Sequence, residues 1–249
     1  MAQMGEHGLR IDLVPGVTAA QMREVDRLTV DVYGISLLQM MENAGRAFAE
    51  LTRIHFGNVL KRRVVVLAGR GGNGGGGMVA ARRLAIWGAD VRVLLAHPEA
   101  ALAEVPAHQL ASLRALGVPL HSPAETASVL HQADVILDAL LGYSLDGAPR
   151  QPEAEMIRVA NAHGLPILAL DIPSGLDPDR GTPNEPSIRA TRTLTLALPK
   201  AGLLRPEAAI SVGELWLADI SVPPSVYDRL GIHPGPLFAG SDLVRITRS

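Results

Sequence analysis

Apolar positions along the chain alternate between short β-branched runs and longer segments with helical spacing. The clearest run covers residues 64–68 and has the length and composition of a buried parallel strand. Further runs predict strands at residues 91–95, 118–120, 135–139, 166–170, 191–198 and 213–217. We expect the strand at 213–217 to be the last one in the chain. Segments with helical spacing and end signals predict helices at 106–116, 122–132 and 152–163. This alternation is typical of a mainly parallel sheet with helices on both faces.

Two helices are predicted before the first strand, within residues 18–56. Each begins with an S/T-x-x-Q capping box, formed by Thr18 with Gln21 and by Ser36 with Gln39. In the second helix, the small residues Ala44 and Gly45 would let another backbone pack closely. These two helices are an addition to what a minimal nucleotide-binding fold requires.

A glycine-rich segment, residues 69–77, follows the 64–68 strand. It holds seven glycines, interrupted by Arg70 and Asn73. We predict that this segment is a loop, and that the next helix begins at Met78 and ends near Trp87. A strand, a loop without side chains and a helix N-terminus make an anion site, because backbone N–H groups and the positive end of the helix dipole can reach a phosphate.

Length and composition favour a single domain. The chain has 249 residues, of which 47% are hydrophobic, enough for one substantial α/β core. No repeat, low-complexity tract or linker divides it. We therefore expect one domain over residues 1–249, with N-terminal helices at 18–56 and a sheet core at 64–218.

Charge and residue usage exclude several functions. The formal net charge of −2 gives no basic field, so we expect no nucleic-acid partner. The absence of cysteine excludes disulfides, thiolate zinc sites and cysteine nucleophiles. The first residues do not have the pattern of a secretory signal, and no apolar run approaches the roughly 18 residues of a membrane helix. A cytoplasmic protein without membrane association is expected.

Polar residues follow four of the predicted strands. In an open parallel sheet the ligand lies at the carboxyl ends of the strands, so these residues are the candidate site. Asp138 and Asp171 close neighbouring strands, and their carboxylates together with Asn73 and Ser174 offer hard oxygen ligands for a cation. Two carboxylates close together also need a cation or a proton between them. The alternative is that each aspartate only caps a turn.

Other candidates admit both a functional and a structural interpretation. Lys200, in the rigid sequence Pro-Lys-Ala-Gly after a strand, is either a positioned ammonium or a surface lysine. Asp146 and Arg150 fit a solvated loop. Surface positions are the simpler interpretation for the three histidines at helix or strand ends, which are His55, His97 and His163.

Three nucleotide or hydrolase motifs fail or remain incomplete. Residues 69–74 fit G-x-G-x-x-G, but the next strand ends at His97 and not at the acid that holds a ribose, which leaves an NAD dehydrogenase as a weak alternative. No Gly-Lys-Ser/Thr follows the glycines, which excludes a Walker ATPase. Ser174 is not in G-x-S-x-G, so the hydrolase elbow is absent.

Five blocks of sequence together resemble one known family. They are residues 41–45 (MENAG), the glycine-rich segment with residues 78–84, residues 138–142 (DALLG), residues 171–177 (DIPSGLD) and residues 199–203 (PKAGL). Their order and their residues are similar to those of the YjeF N-terminal domain family, the NAD(P)H-hydrate epimerases. The resemblance extends over residues 18–219, and the DIPSGLD block is the most specific part of it. We expect no dehydratase domain of the kind that the bifunctional repair enzymes carry.

This resemblance implies a Rossmann-like three-layer αβα sandwich, usually as a homodimer. It also implies an enzyme that interconverts the R and S hydrates of NADH or NADPH (NADHX, NADPHX), so that a separate dehydratase can restore the cofactor. The potassium positions of the family match Asn73, Asp138 and Ser174. Its hydrate-binding positions match Gly72, Asn73, Gly74, Gly75, Gly76, Gly142, Tyr143, Ser144, Leu145, Asp146, Gly147, Ala148 and Asp171. We hypothesise that Asp171 is the general acid/base and that Lys200 is its electrostatic partner.

The chain departs from the family pattern in two of these segments. Glycine replaces an asparagine at Gly72 and an aspartate at Gly76, and the family's G-T-G-L becomes Gly142, Tyr143, Ser144 and Leu145. Loss of the loop carboxylate removes a polar contact, and Tyr143 adds bulk. The alternative to an active epimerase is therefore a catalytically inactive nucleotide-binding or scaffold protein on the same fold.

Overall fold

A single sheet organises the computed structural model, which describes residues 8–247. Its nine strands in that range are β1 (Leu9–Arg10), β2 (Arg63–Ala68), β3 (Asp90–Leu95), β4 (Leu120–His121), β5 (Val135–Ala139), β6 (Ile167–Leu170), β7 (Arg192–Leu196), β8 (Glu214–Ala218) and β9 (Leu243–Thr247). The spatial order is β1-β9-β8-β7-β6-β5-β2-β3-β4. Neighbouring strands are parallel throughout, except for the antiparallel pair β8 and β9.

Helices connect most of the parallel strands. They are α1 (Ala19–Asp31), α2 (Leu37–Phe56), α3 (Gly72–Ile86), α4 (Glu104–Ala115), α5 (Thr126–Leu130), α6 (Glu153–Ala162), α7 (Ala209–Val212) and α8 (Pro224–Asp228). Short 3-10 turns accompany them, for example Pro123–Glu125 before α5. Within residues 8–247, no helix is both long and apolar enough to cross a membrane.

The sheet has an apolar core on each face, as alternation along its strands requires. From β2, Val64 and Val66 pack with α2, α3 and α4 on one face. Val65 and Leu67 pack with α5 and α6 on the other face. The predicted three-layer α/β sandwich with a mainly parallel sheet is therefore confirmed.

Both N-terminal helices begin as the sequence predicts. The backbone N–H of Gln21 donates to Thr18 Oγ1 at 3.1 Å, and the backbone N–H of Thr18 donates to Gln21 Oε1 at 2.9 Å. Ser36 and Gln39 repeat the same reciprocal bonds at the start of α2. Each box satisfies two N–H groups that a helix start would leave without partners.

The prediction of a loop over residues 69–77 is wrong for most of its length. The turn is only three residues long, and α3 begins at Gly72, six residues before Met78. The glycines inside α3 allow close packing. A Cβ on Gly75 would lie 2.3 Å from Met41 Sδ, and one on Gly77 would lie 2.5 Å from Ala139 Cβ.

Three further predictions need correction. The strand at 213–217 is not the last one, because β9 follows it and pairs with it, and β1 lies outside the predicted sheet core as well. The short strand expected at 118–120 forms one or two residues later, as β4. The helix expected at 122–132 consists of a 3-10 turn and the five residues of α5.

Candidate functional site

A cavity of about 830 Å³ lies at the carboxyl edge of the sheet, where β2, β5, β6 and β7 end. Its walls include residues that follow each of these strands, among them Asn73, Gly142, Asp171 and Lys200. Met22 of α1 and Met41 of α2 supply apolar surface. The convergence of strand ends on one site is what the sequence predicts, and the volume is in the usual range of roughly 300–1,000 Å³ for ligand pockets.

The N-terminus of α3 forms one end of this cavity. Gly71 precedes the helix and gives it no side-chain cap, and Gly71, Gly72, Asn73 and Gly76 line the cavity. Because the first N–H groups of a helix have no partner within it, this end can bind an anion through its backbone. A helix start, and not the long loop that we expected, lies at the predicted anion site, and anion binding there stays a prediction.

A buried ion pair occupies the centre of the cavity wall. Lys200, only 1% exposed, donates from Nζ to Asp171 Oδ1 and, at 3.1 Å, to the carbonyl oxygen of Leu196. The other carboxylate oxygen of Asp171 accepts from the backbone N–H of Tyr143 at 3.1 Å. Burial makes such a pair sensitive to the loss of either member. Lys200 is thus a positioned ammonium and not a surface lysine.

The backbone of Asp171 is in an unusual conformation. Its φ of +67° places it in the left-handed region, which non-glycine residues rarely adopt. Strain of this kind persists where surrounding structure enforces it, and it is concentrated at functional sites. The conformation directs the Asp171 side chain toward Lys200 and the cavity.

Asp138 and Ser174 form a second buried site, directly behind the loop that follows β5. Ser174 donates its backbone N–H to Asp138 Oδ2 at 2.8 Å and its hydroxyl to Asp138 Oδ1 at 2.6 Å. No Lys or Arg nitrogen among residues 8–247 lies within 4.0 Å of this carboxyl group. Burial raises the pKa of Asp138 to about 6, against the opposing effect of the Ser174 and Leu140 hydrogen bonds.

Tyr143 connects the ion pair to α1. Its phenol donates to Asp26 Oδ2, and its ring lies 5.5 Å from Lys200 Nζ, within cation–π range. Burial raises the pKa of Asp26 and also that of Tyr143, the latter with help from the nearby Asp26 carboxylate. Sequence reasoning missed Asp26. A signal was present, because Asp26 continues the helical spacing of the buried residues Met22 and Val25.

A histidine that we expected at the surface also lines the cavity. His97 lies two residues after the end of β3, and its Nε2 lies 2.6 Å from Glu153 Oε1 at the start of α6. Arg70 and Arg150 line the same cavity. The rule that ligands bind at strand ends would have selected His97, so its interpretation as a simple surface residue is wrong.

The structure brings most of the predicted substrate-binding residues to this cavity. Those that line it are Gly72, Asn73, Gly76, Gly142, Tyr143, Ser144, Leu145, Asp146, Ala148 and Asp171. It does not bring Gly74, Gly75 or Gly147 to the lining. Gly74 and Gly75 face the protein interior, where a Cβ on Gly74 would lie 1.8 Å from the carbonyl oxygen of Gly69. Of the three predicted potassium ligands, only Asn73 lines the cavity.

Comparison with known proteins identifies the family. Residues 37–202 match the family described as YjeF-related protein N-terminus. The chain belongs to this family. The resemblance seen in the five sequence blocks is thus confirmed, and the match includes the glycine-rich segment, Asp138, Asp171 and Lys200.

Relatives of this YjeF-related protein carry names that describe nicotinamide nucleotide repair. It is 48% identical over 237 residues to the NAD(P)H-hydrate epimerase of Dehalogenimonas lykanthroporepellens, covering 94% of this chain and 93% of the relative. It is 36% identical to the bifunctional NAD(P)H-hydrate repair enzyme Nnr of Salinibacter ruber, covering 89% of this chain. The match spans only 43% of that longer relative.

The YjeF-related fold is also present in a solved structure. The crystal structure of yeast ynu0 superimposes with a TM-score of 0.80, covering 94% of this chain and 100% of that chain. At 23% sequence identity this likeness shows the fold alone.

Proposed function

We propose that this YjeF-related protein is an NAD(P)H-hydrate epimerase, an isomerase that interconverts the R and S forms of NADHX or NADPHX. The observation that carries the proposal is the buried Asp171–Lys200 pair, which opens onto a large cavity beside the N-terminus of α3. The catalytically inactive alternative has no support among the named relatives, of which the most similar one given above is an epimerase.

The cavity has distinct surfaces for the two chemical parts of such a ligand. Phosphate oxygens fit the N–H groups at the start of α3, around Gly72 and Asn73. The hydrated nicotinamide ring fits between the 142–148 loop and Asp171. Gly142 keeps this passage open, since a Cβ there would lie 3.2 Å from Asp171 Oδ2.

Asp171 and Lys200 are the proposed catalytic residues. Epimerisation at C6 requires the substituent to leave and return on the opposite face of the ring, with N1 delocalising the positive charge that develops. The Asp171 carboxylate can accept and return a proton at this centre and can stabilise that charge. Lys200 holds the carboxylate in place and offsets its charge within a buried site.

We also propose a potassium ion held by Asn73, Asp138 and Ser174. Two observations support this. Within the described residues, 8–247, Asp138 is a buried acid without a cationic partner, and Asn73 Nδ2 is buried without a hydrogen-bond partner, so this amide is free to turn its oxygen toward an ion. The neutral oxygens of Asn73 and Ser174 would join the Asp138 carboxylate, and neutral oxygens are ligands that potassium accepts.

Bound there, the ion would supply a fixed positive charge behind the ring-binding loop. Ser174 Oγ accepts from the backbone N–H of Leu141 at 2.9 Å, which joins the proposed ion site to the start of that loop. Asp138 and Ser174 would therefore help to order the 142–148 loop.

Several further properties follow from the same proposal. We propose one functional domain over residues 1–249, a cytoplasmic location, and a separate dehydratase that consumes the S epimer. We further propose a homodimer with α1 and α2 at its interface. Val32, Leu37 and Leu38 supply exposed apolar surface at these helices, which is typical of an association site.

The deciding experiment is an epimerisation assay. The purified R hydrate is supplied with an S-specific dehydratase, with and without potassium, and recovery of the reduced cofactor is followed by its absorbance. We expect recovery faster than the spontaneous rate. A folded protein that gives no acceleration would contradict the proposal and favour the inactive alternative.

Asp171→Asn tests the assignment of the catalytic acid/base. We expect turnover to fall by roughly 10²–10⁴-fold, the usual contribution of a general acid or base. The matched control is Asp90→Asn, because Asp90 is an exposed aspartate at the first position of β3, and the cavity lies at the other edge of the sheet. Circular dichroism checks whether both variants fold, and full turnover of Asp171→Asn would remove this assignment.

A further inference from the structure

A chain of four ionisable groups runs along one wall of the cavity. Lys200 donates to Asp171, the backbone of Tyr143 donates to the same carboxylate, and the phenol of Tyr143 donates to Asp26. All four residues line the cavity. Asp26 and the phenol of Tyr143 have no place in the acid/base assignment made above.

Tyr143 lies between two carboxyl groups, those of Asp171 and Asp26. Asp171 binds the main chain of Tyr143, whereas Asp26 binds the far end of its side chain. The two acids therefore bind opposite ends of Tyr143, and both line the cavity.

The environments of the two acids differ. Asp171 has the ammonium group of Lys200 in direct contact. No ion pair to Asp26 is present among residues 8–247, and its hydrogen-bond partner is a neutral phenol. Burial raises the pKa of Asp26, which favours its protonated form relative to an exposed aspartate. When two acids have environments that separate them in this way, one is suited to donate a proton and the other to accept one.

We propose that Tyr143 and Asp26 form a proton-donating arm that acts on one face of the substrate ring, opposite to the base Asp171. Tyr143 is the group that contacts the substrate, and Asp26 is a positioning residue and proton store that acts through it. The inference rests on the proposed epimerase function and adds the second acid/base that an exchange of faces requires.

The proton and electron balance of this step is complete. For the R epimer, the Tyr143 hydroxyl gives its proton to the C6 hydroxyl oxygen and takes one from Asp26. The C6–O bond breaks, water leaves, and the N1 lone pair forms an N1=C6 bond. Water then adds to the opposite face, its excess proton goes to Asp171, and the electron pair returns to N1. The forward reaction leaves Asp171 protonated and Asp26 ionised, and the reverse reaction starts from that state. For another forward turnover, Asp171 gives its proton to water and Asp26 takes one from water, which restores the starting state.

The surroundings of Tyr143 restrict it to a relay role. Its pKa is raised by burial and by the Asp26 carboxylate, so a free phenolate is disfavoured and the hydroxyl must gain one proton as it loses another. The charged and titratable groups that face this arm are Asp171, Lys200, Tyr227 and Arg23. Lys200 opposes the rise in the pKa of Asp26, and Asp171 reinforces it.

Two variants test the arm in the R-hydrate assay with Asp171 intact. Tyr143→Phe keeps the ring beside Lys200 but removes the hydroxyl, and Asp26→Asn keeps the size of the side chain but removes the proton. We expect each to lower kcat by roughly 100-fold or more, with KM changed less than about threefold. The control is Asp31→Asn, since Asp31 is an exposed aspartate on the same helix.

The pH profile distinguishes proton donation from a structural role. In the wild type, kcat should fall on the alkaline side as Asp26 loses its proton, and this limb should be absent in Asp26→Asn. Wild-type kcat in Tyr143→Phe, or an unchanged alkaline limb in Asp26→Asn, would overturn the proposal. If Asp26→Asn does not fold, Tyr143→Phe decides the question. An inactive wild type contradicts the epimerase function itself, whereas active variants contradict only this arm.

Discussion

Two aspartates on neighbouring strands differ in how their buried charge is balanced. Asp138, in β5, receives hydrogen bonds from Ser174 and Leu140 and has no cationic partner among the described residues. Asp171, directly after β6, has Lys200. Burial raises the pKa of Asp138 to about 6, and the hydrogen bonds from its neutral donors offset that rise only in part. The comparison teaches that two neighbouring strand ends can hold acids in opposite settings. Neutral hydrogen-bond donors surround one of them, and a buried lysine pairs with the other.

The largest expected effect on stability comes from removing the Lys200 ammonium, which balances the charge of Asp171. Lys200→Met leaves Asp171 buried without its partner, and loss of one member of a buried ion pair costs about 3–5 kcal/mol of unfolding free energy. Urea denaturation at neutral pH measures it. Lys61→Met, at an exposed lysine, is the matched control. A loss no greater than that of the control would mean that Asp171 does not depend on Lys200.

Supplying an external cation should affect the Asp138 site in a pH-dependent way. The pKa of Asp138 is about 6 in the folded protein and roughly 3.9 in the unfolded chain, so the folded state favours the protonated carboxyl group. The contribution of Asp138 to the free energy of unfolding is therefore fully present below about pH 4, and it is lost as pH rises through about 6. The two-unit difference corresponds to about 3 kcal/mol.

Potassium should reduce that loss, since it favours the ionised carboxylate. We expect the potassium-induced rise in Tm to be small at pH 5 and larger at pH 7.5, and to be absent in Asp138→Asn. Thermal unfolding in matched potassium and tetramethylammonium chloride measures the difference. An equal rise at both pH values, or one retained in Asp138→Asn, would place the ion elsewhere.

The smallest expected change concerns Gly142, which lies between Asp171 and the proposed ion ligand Asn73. A Cβ on Gly142 would lie 3.2 Å from Asp171 Oδ2 and 3.5 Å from Asn73 Cβ. Gly142→Ala should therefore shift Asp171 slightly, lowering kcat/KM about tenfold at a stability cost below about 1 kcal/mol. Gly240→Ala, where a Cβ meets nothing within 4 Å, is the control. Unchanged kcat/KM would show that the two sites tolerate a side chain between them.

Much of the fold was predictable because apolar periodicity is a local property. The strands from β2 to β8 follow it, and the capping boxes of α1 and α2 specify where those helices begin. The strand β9 was missed because its position depends on pairing with β8, a contact that its five residues do not encode. The two-residue strand β1 is too short to show periodicity.

The site was predictable where a residue lies within a few positions after the end of a strand. Asp171 and Lys200 belong to this class, and they meet in the structure. Asp26 could not be placed in the same way, because it enters the cavity from α1, a helix that precedes the sheet. Its partner Tyr143 lies 117 residues further along the chain.

The glycines of α3 make this helix dependent on its tertiary contacts. Glycine is about 1 kcal/mol less favourable than alanine in a helix interior, so the five glycines among residues 72–77 weaken the intrinsic stability of the first turns by up to roughly 5 kcal/mol. Tertiary contacts must supply the difference, among them the close packing of Val79 against Gly45 on α2. We therefore expect an isolated peptide of this sequence to be unstructured at its N-terminal end. The end of α3 that lines the cavity is stable only as part of the folded protein, and any loosening of α2 would weaken it.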